Sequence, residues 1–268
     1  MRNPRTIPGA AILVVLGLTA LLAPILSPFP PDQANFLNRL APPALGRPLG
    51  TDHLGRDVLS RIIWASRTSL AIGVSSAGVA VGLGVIIGAG SGFFGGWVDT
   101  LLMRLTDVML AFPVFFIAVM FLVLFGSSIP GLVLVLGATS WPASARLVRA
   151  EFLRLRQLDF VSAARALGAS SLRVIARHIL PNVVNVVVIS VTLRVGLAIL
   201  AEASLSYLGL GVQPPTPSWG NIIADGRDYM LAAWWVSLSP GMFVLLSVLG
   251  FNLVGDGIRD AFDPKMQI

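Results

Sequence analysis

The chain contains no cysteine, a single lysine and only two histidines among its 268 residues. The absence of cysteine excludes disulfide bonds, thiol catalysis and cysteine-ligated metals. Lys265 lies between Pro264 and Met266, whereas a phosphate-binding P-loop needs glycine before its lysine and serine or threonine after it. His53 and His178 have no neighbour at metal-ligand spacing, and no serine, histidine and acid pattern indicates a hydrolase. The sequence therefore predicts no catalytic residue, metal site or cofactor site in this chain.

Charged residues are also scarce, since they make up 12% of the chain while 55% is hydrophobic. A soluble domain of this size has about a quarter of its residues charged, so the composition indicates an integral membrane protein surrounded by lipid. The isoelectric point is about 11.1, a value that nucleic-acid-binding proteins also reach. However, the 19 basic residues lie mostly between apolar runs rather than in one basic domain, so we expect no nucleic-acid partner.

Six segments approach the roughly 20 apolar residues that a helix needs to cross a bilayer. They cover residues 10–27, 69–92, 106–125, 129–149, 182–208 and 231–254. The second segment is rich in glycine, which lets neighbouring helices approach closely and predicts a buried position. Trp234 and Trp235 mark the start of the sixth, where interfacial aromatic residues are expected. We therefore predict an all-α, polytopic membrane protein with six transmembrane helices.

The arginines predict the orientation, because cytoplasmic loops carry an excess of basic residues. If the N-terminus is cytoplasmic, twelve basic residues lie inside: Arg2, Arg5, Arg104, Arg146, Arg149, Arg154, Arg156, Arg165, Arg173, Arg177, Arg259 and Lys265. Six lie outside: Arg39, Arg47, Arg56, Arg61, Arg67 and Arg227. This excess predicts that both termini are cytoplasmic. The first span has the charge layout of a secretory signal peptide, but further spans follow and no clear A-x-A cleavage site is present, so we expect a retained anchor helix.

The connection between the first two spans, residues 28–67, has two parts. Six prolines exclude a regular helix through its first half: Pro28, Pro30, Pro31, Pro42, Pro43 and Pro48. From Asp57 onwards apolar residues follow helical spacing, which predicts a short, aspartate-capped helix at the membrane surface. We therefore divide the chain into residues 1–68, an anchor helix with an extracytoplasmic connection, and residues 69–268, the main transmembrane domain.

The stretch DFVSAARALGASSLRVIARHILPN, residues 159–182, lies between apolar runs but is too polar to cross a membrane. Asp159 is placed to cap a short helix, and Gly168 supplies the left-handed residue that ends it. The helix has an apolar stripe at i, i+3, i+4, i+7 spacing: Phe160, Ala163, Ala164 and Leu167. The sequence thus predicts a helix with a defined stop at a glycine corner.

A second helix is expected after the glycine corner, with Ser170 and Ser171 as its cap. Arg173 lies one turn before another arginine on one face of this helix. Leu180 precedes Pro181, and this pair is predicted to break the chain before the fifth span.

The residues alone leave two interpretations of the 159–182 stretch open. It would be either an interfacial loop with its arginines toward lipid phosphate, or a docking element for a cytoplasmic protein. Ala163 and Ala164 favour docking, because small residues allow another protein surface to approach closely, whereas lipid favours larger apolar groups.

This stretch resembles a known motif. SAARALG followed by Leu180 and Pro181 is similar to the EAA motif of ABC importer permeases, with Ser162 in place of the glutamate and His178 in place of an isoleucine. Four further stretches resemble the C-type permeases of dipeptide, oligopeptide and nickel importers: LGTDHLGRDVLSRIIWASRTSL (49–70), GGWVDTLLMRLTDVMLAFP (95–113), EASLSYLGLGVQPPTPSWG (202–220) and FNLVGDGIRDAFDP (251–264).

The resemblance implies the type I ABC importer permease fold, with residues 69–268 as the permease domain. Between helices 4 and 5 lies the coupling segment, residues 159–182, which in this family contacts an ATPase subunit. The docking residues that it implies are Asp159, Phe160, Ala163, Ala164, Leu167, Gly168, Arg173, Leu180 and Pro181. The implied partners are a homologous B-type permease, two ATPases that bind ATP and magnesium, and an extracytoplasmic binding protein, all at the inner membrane of a bacterium.

The expected function is ATP-driven import of dipeptides or oligopeptides. This chain would form one half of the translocation path. The missing P-loop agrees with a separate ATPase. Nickel or another small solute is the alternative substrate within the family. A secondary transporter is the alternative from another class, but it would show internal repeats with interrupted helices, and none is evident.

Candidates for the translocation path come from polar or kinked positions within the spans. A charge at a helix centre costs about 2.5 to 3.5 kcal/mol, so such residues face protein or water. Arg194 lies deepest in the fifth span and Glu202 lies nearer its outer end. Pairing with a partner subunit's helix, or snorkelling to the interface, is the alternative for both. Trp141, followed by proline, is predicted to kink span four and open it toward a cavity.

Two further residues are candidates for special roles. His53 could join Asp52 and Asp57 at a nickel entrance, but turn and cap roles explain these residue types better. Asp107 is expected near the start of span three, where its charge would favour the helix dipole.

Overall fold

The computed structural model describes residues 6–262, which form helices and loops with isolated β-bridges only. The helices are α1 (Thr6–Leu21), α2 (Ala23–Leu26), α3 (Val58–Phe94), α4 (Gly96–Ala111), α5 (Val114–Phe125), α6 (Ile129–Ser140), α7 (Pro142–Leu155), α8 (Asp159–Ala166), α9 (Ser171–Arg173), α10 (Leu180–Tyr207), α11 (Trp219–Gly226) and α12 (Trp235–Phe262). The predicted all-α class is confirmed. Arg2, Arg5 and Lys265, which the orientation argument uses, lie outside the described residues.

The central helix is α3, whose 37 residues pack mainly against α7, α10 and α6. The predicted cap at Asp57 is confirmed, because its carboxylate accepts a hydrogen bond from the backbone N–H of Ser60 at 2.8 Å. The helix expected from Asp57 is present, but it is not a separate short element, since it continues into span two without a break. The continuity follows from burial of its first turns, where Ile62 packs in one core cluster with Trp219 and Ile222.

The glycines of α3 serve close packing at some positions and not at others. A Cβ at Gly84, Gly88 or Gly92 would lie 2.5–2.6 Å from atoms of α7, so this contact requires glycine. At Gly78 and Gly82 a Cβ would meet nothing within 4 Å. At Gly73 a Cβ would lie 2.5 Å from Ile199 of α10. The predicted burial of the glycine-rich span is therefore confirmed for the faces toward α7 and α10.

Three helical stretches are individually long and apolar enough to cross a membrane, namely Val58–Phe94, Ser171–Tyr207 and Trp235–Ala261. Two bent pairs, α4 with α5 and α6 with α7, bring the number to five if each pair forms one span. Among the described residues α1 is a shorter apolar helix of 16 residues, so the count of six rests on including it. The last helix begins at Trp235, as the tryptophan pair predicted.

The span predicted over residues 106–125 is not one continuous helix. The first helix of this pair begins at Gly96, and an 83° bend at Phe112 and Pro113 separates it from the second. Proline forces the preceding residue out of the helical region, and Phe112 is extended with ψ 135°. Asp107 is therefore near the end of α4 rather than near a helix start, and it pairs with Arg146 at 2.6 Å.

The expected chain break at Leu180 and Pro181 is also wrong. Residues Val174–Ile179 form a π-helical stretch that joins α9 to α10, so one helix runs from Ser171 to Tyr207. Pro181 falls in the first turn of α10, where its missing N–H costs least. The wider π-helical turns before the proline shift the hydrogen-bond register and let the helix continue.

The two ends of α3 contact different parts of the chain. At 1.5 Å per residue this helix is about 55 Å long. Its first turns contact the loop cap, which we define as residues 27–57 and 208–234, since Val58 shares a core cluster with Trp219. Its last turn contacts the coupling segment, since Phe93 and Val161 share a second core cluster. The loop cap and the coupling segment therefore lie at opposite ends of the bundle.

Candidate functional site

The coupling segment forms the helix and glycine corner that the sequence predicts. Gly168 has φ +78°, and its N–H donates to the carbonyl of Arg165 at 2.9 Å. The next N–H, of Ala169, donates to the carbonyl of Ala164 at 3.0 Å. These two bonds satisfy the last carbonyls of α8, as expected at a left-handed helix end. The helix therefore ends in a fixed geometry.

The capping role predicted for Asp159 is wrong. Asp159 is the first residue of α8, and Leu158 occupies the cap position without a side-chain hydrogen bond. An acidic residue in the first turn still favours the helix dipole. Ser170 likewise occupies the cap position of α9 without a side-chain hydrogen bond.

The apolar stripe predicted on α8 is divided between two surroundings. Ala164 is buried, as is Val161 beside the stripe, which shares a core cluster with Phe152. Phe160 and Ala163 are exposed, and Leu167 is 89% exposed. The eight-residue helix buries one side against its own chain, which leaves the remaining stripe residues on the outside. Only this outer part is available to another protein.

The outer surface of the coupling segment carries large apolar side chains. Leu167 and Leu172 lie on either side of the glycine corner and are both largely exposed, and Phe160 is partly exposed. Arg173 is also exposed, while Leu180 at the start of α10 is half-buried and the adjacent proline is exposed. Exposed large apolar side chains beside arginines are typical of a protein-binding surface.

Two arginines, Arg149 on α7 and Arg156 just after it, fix this end of α7 to α3 and α4. The guanidinium of Arg149 donates to both carboxylate oxygens of Asp99 at 2.6 Å each. Arg156 donates to the carbonyls of Gly92 and Phe93 at 3.1 Å each. Sequence reasoning missed both contacts, because their partners are 50 to 64 residues apart along the chain.

A cavity of about 270 Å³ lies between α3, α5, α6 and α10. Its polar lining consists of Arg194, Ser76 and Ser140, and its apolar lining includes Phe115, Leu136 and Leu197. The structure thus places the predicted path residue Arg194 beside an opening within the bundle.

The other two predicted path residues do not line this cavity. Glu202 is 0% exposed and accepts hydrogen bonds from the hydroxyls of Ser69 at 3.0 Å and Ser206 at 2.7 Å. Trp141 is buried at the junction of α6 and α7, and the kink predicted there is confirmed as a 46° bend. Its neighbour Ser140 is the residue that reaches the cavity.

The hydroxyls around Glu202 join the transmembrane core to the loop cap. The oxygen of Ser69 on α3 accepts from the N–H of Trp219 at 3.2 Å, and that of Ser206 accepts from the N–H of Val212 at 3.0 Å. Glu202 therefore holds the ends of α3 and α10 to α11 and the loop that precedes it. The EASLSY stretch contains Glu202 and Ser206, but the partner Ser69 is 133 residues away in sequence.

A group of ion pairs joins the two halves of the loop cap. Arg61 donates to Asp52 at 2.6 Å and to Asp225 at 2.8 Å, and Arg56 donates to the same two carboxylates at 2.6 and 2.9 Å. Burial opposes ionisation of Asp52, but Arg61 and Arg56 outweigh it, so the pKa of Asp52 lies below its usual value. The connection before α3 is thereby fixed to α11.

His53 lies in the same region. Its ring stacks on Tyr229, with 6.0 Å between the ring centroids, and its buried Nδ1 has no hydrogen-bond partner among the described residues. One ligand atom from each of Asp52, His53 and Asp225 lies within 4.8 Å of the others. Asp57, the other expected member, caps α3 instead. Two arginines already neutralise the carboxylates, which disfavours a cation there.

The fold and this arrangement match a known class of membrane transport proteins. Residues 80–268 match the family described as "Binding-protein-dependent transport system inner membrane component", and residues 1–43 match "N-terminal TM domain of oligopeptide transport permease C". The chain belongs to this family of inner-membrane permeases, and its resemblance to the C-type members is confirmed.

Individual relatives agree with the family. The chain is 41% identical to the di/tripeptide transport system permease protein DppC of Pseudomonas aeruginosa over 99% of this chain and 89% of the relative. It is 41% identical to the glutathione transport system permease protein GsiD of Pectobacterium atrosepticum over 97% of this chain and 86% of the relative. A structure of the inward-facing MetNI methionine ABC transporter has the same fold, with TM-score 0.58 and 17% identity over 77% of this chain and 97% of that chain.

Proposed function

We propose that the chain forms half of the translocation path of an ATP-driven importer of short peptides. The observation that carries this proposal is the identity of about 40% with permeases named for di/tripeptide and glutathione transport, over nearly the whole chain. Such substrates are short peptides, with a carboxylate at one end.

The partners follow from what the chain lacks. It has no P-loop, so ATP and magnesium would bind to two separate ATPase subunits. A homologous B-type permease would form the other half of the path, and an extracytoplasmic binding protein would deliver the peptide. The chain itself would contribute no catalytic, cofactor or metal site.

The coupling segment would transmit the motion of the ATPases. Support comes from its exposed Leu167, Leu172 and Phe160 and from the attachment of the preceding helix α7 to α3 and α4. Closure of the ATPases would move this segment as a rigid body and switch the two permeases between inward and outward access. Ser162 stands where the family's glutamate would be, so a charged contact at that position is not available to this chain.

This mechanism sets the orientation. The coupling segment would be cytoplasmic, both termini would be on the same side, and the protein would be a multi-pass component of the bacterial cytoplasmic membrane. The loop cap would face the binding protein. Residues 1–68 would serve as anchor and connection and residues 69–268 as the permease domain.

Nickel is the second candidate substrate, and the neighbouring ligand atoms of Asp52, His53 and Asp225 favour it. Arg56 and Arg61 on the same carboxylates count against a cation. A peptide substrate therefore has the stronger support.

The test is reconstitution of this chain with the second permease, both ATPases and the binding protein encoded beside it. In proteoliposomes we expect ATP-dependent uptake of radiolabelled alanylalanine or trialanine, and no uptake when either permease is omitted. Binding assays with the binding protein should show affinity for peptides and not for nickel. Ion-coupled uptake by the purified chain alone would instead establish a secondary transporter.

A further inference from the structure

The cavity between α3, α5, α6 and α10 contains two polar groups that the protein leaves without partners. The guanidinium of Arg194 has no hydrogen bond or ion pair with any described residue. Ser76 is 1% exposed, and its hydroxyl also has no partner among the described residues. Ser76 is buried and Arg194 is half-buried within the bundle. Polar groups in such positions are normally paired, so these two residues lining one cavity indicate a missing ligand.

The depth of Arg194 limits what this ligand is. In the continuous helix from Ser171 to Tyr207, Arg194 lies 13 residues from the end at Tyr207, or about 20 Å along the axis, and 23 residues from the start. Lipid headgroups lie at the bilayer surface, about 15 Å from the centre of the hydrocarbon core, and do not reach this level. The nearby Glu202 is bonded to Ser69 and Ser206 and does not neutralise the arginine. The ligand therefore comes through the translocation path or from a partner subunit.

We propose that Arg194 and Ser76 form a binding site for the terminal carboxylate of a peptide in transit. A guanidinium and a hydroxyl are both donors, and together they match the acceptor oxygens of a carboxylate. The proposal rests on the peptide-import function proposed above and names the part of the substrate that this chain recognises.

The shape of the cavity agrees with this assignment. Its volume of about 270 Å³ is just below the roughly 300 to 1,000 Å³ of sites that enclose a whole ligand, so it suits one end of a peptide. Its lining contains no acidic residue, so the amino end of the peptide would contact the other permease. Val114, Phe115 and Leu136 provide an apolar wall that accepts varied side chains. A single arginine binds a carboxylate without trapping it, which transport requires.

The first test measures peptide uptake by the complete transporter in proteoliposomes with Arg194→Gln. We expect uptake of alanylalanine to fall about tenfold, the effect of losing one hydrogen bond to a charged group, and Arg194→Lys to retain part of it. Arg104→Gln, the same change at an exposed arginine of α4, is the matched control and should transport normally. Failure of the wild-type transporter to import any peptide would contradict the proposed function, whereas full uptake with Arg194→Gln would contradict only the carboxylate site.

The second test measures the charge of the cavity directly and does not depend on transport. Since the chain has no cysteine, Ser140→Cys introduces its only thiol at the cavity wall, with partner cysteines replaced where necessary. The thiol is treated with a negatively charged methanethiosulfonate, which bears a sulfonate, and with a positively charged one, which bears a trimethylammonium group. The ratio of the first reaction rate to the second should be about ten times higher with Arg194 present than with Arg194→Gln. Alanylalanine should protect the thiol, about threefold less well with Ser76→Ala and about tenfold less well with Arg194→Gln.

Pairing of Arg194 with an acidic side chain of the second permease predicts different results. Arg194→Gln would then reduce co-purification of the second permease, while the protection of the thiol by alanylalanine would stay unchanged. That combination would overturn the proposal. Normal co-purification together with weaker protection would support it.

Discussion

Arg149 and Asp99 form a bidentate ion pair between α7 and α4, with the two nitrogen–oxygen distances at 2.6 Å. Asp99 also accepts a hydrogen bond from the hydroxyl of Ser91 near the end of α3. One carboxylate thus joins three helices at the end of the bundle that carries the coupling segment. This pair explains how an eight-residue helix that buries few residues of its own is held to the transmembrane core through α7.

The ion pair should contribute measurably to stability. We expect Arg149→Gln and Asp99→Asn each to lower the melting temperature of the purified protein in detergent. The double variant should be less destabilised than the sum of the two, with a coupling energy of about 1 kcal/mol. Arg146→Gln with Asp107→Asn, the exposed pair on the same two helices, should show little coupling. Equal coupling energies for both pairs would contradict the role assigned to Asp99.

Alanine substitutions at different glycines of α3 should affect stability differently, depending on which atoms face each glycine. A Cβ at Gly88 would lie 2.5 Å from the carbonyl oxygen of Ala145, so Gly88→Ala should separate α3 from α7 and cost about 1 to 3 kcal/mol. Gly78→Ala meets open space and should be neutral or slightly stabilising, because alanine favours helix by up to about 1 kcal/mol. Thermal unfolding of the two variants in detergent provides the comparison, and similar losses in both would argue against close packing at Gly88.

Substitution of Gly168, at the glycine corner of the coupling segment, should act through backbone strain alone. Gly168 has φ +78°, and a Cβ added there would meet nothing within 4 Å, so Gly168→Val costs about 1 to 2 kcal/mol in the left-handed region without a clash. We expect the variant to insert normally and to lose ATPase co-purification and coupled ATP hydrolysis. Gly168→Asn should be milder, since asparagine tolerates this conformation.

A control for this experiment is Gly17→Val, which changes an unhindered glycine of α1 in the same way. It should leave ATPase binding unchanged. Normal co-purification of the ATPases with Gly168→Val would show that the corner geometry is not needed for docking.

Glu202 should be structurally important although it does not line the cavity. Glu202→Ala removes the acceptor of two hydroxyl groups in a fully buried position and should cost about 2 kcal/mol. The loosened contact with α11 should raise hydrogen exchange at Val212 and Trp219, whose N–H groups bond to those hydroxyls. Glu151→Ala at a partly exposed ion pair should cost less than about 1 kcal/mol. Unchanged exchange in the loop cap with Glu202→Ala would contradict the network.

The attachment of the loop cap should weaken in acid. The pKa of Asp52 is lowered in the folded protein. Ionised Asp52 therefore stabilises the fold at pH values above 3.8, its usual pKa, and this stabilisation is lost as the pH falls through the lower pKa of the folded state. Protease protection of residues 28–57 should therefore be the same at pH 7 and pH 5 and decrease below about pH 3.8. Asp52→Asn leaves two arginines without this partner and should show reduced protection already at pH 7, with little further change in acid.

Much of the coupling segment could be predicted because its signals are local. The spacing of apolar residues, the glycine that ends a helix and the motif around Ala163 and Ala164 all lie within a few turns of one another. The face assignment was less accurate, since helical spacing identifies an apolar stripe but does not say which part the same chain covers. Val161 faces inward because it packs in one core cluster with Phe93 and Phe152 of other helices, and Ala164, three residues further along the helix, is buried too.

The sequence by itself determined the membrane class, the helical composition, the glycine corner at Gly168 and the lack of a P-loop, since each depends on residue type or short-range spacing. Only the tertiary structure decided how prolines act, because Pro113 sharply bends a helix pair while Pro181 is accommodated by a preceding π-helical stretch. It alone also decided that Glu202 lies in a hydroxyl network and that Arg194 lines a cavity with Ser76. The two charges lie on one helix, and their surroundings differ because helices separated by more than a hundred residues pack against them.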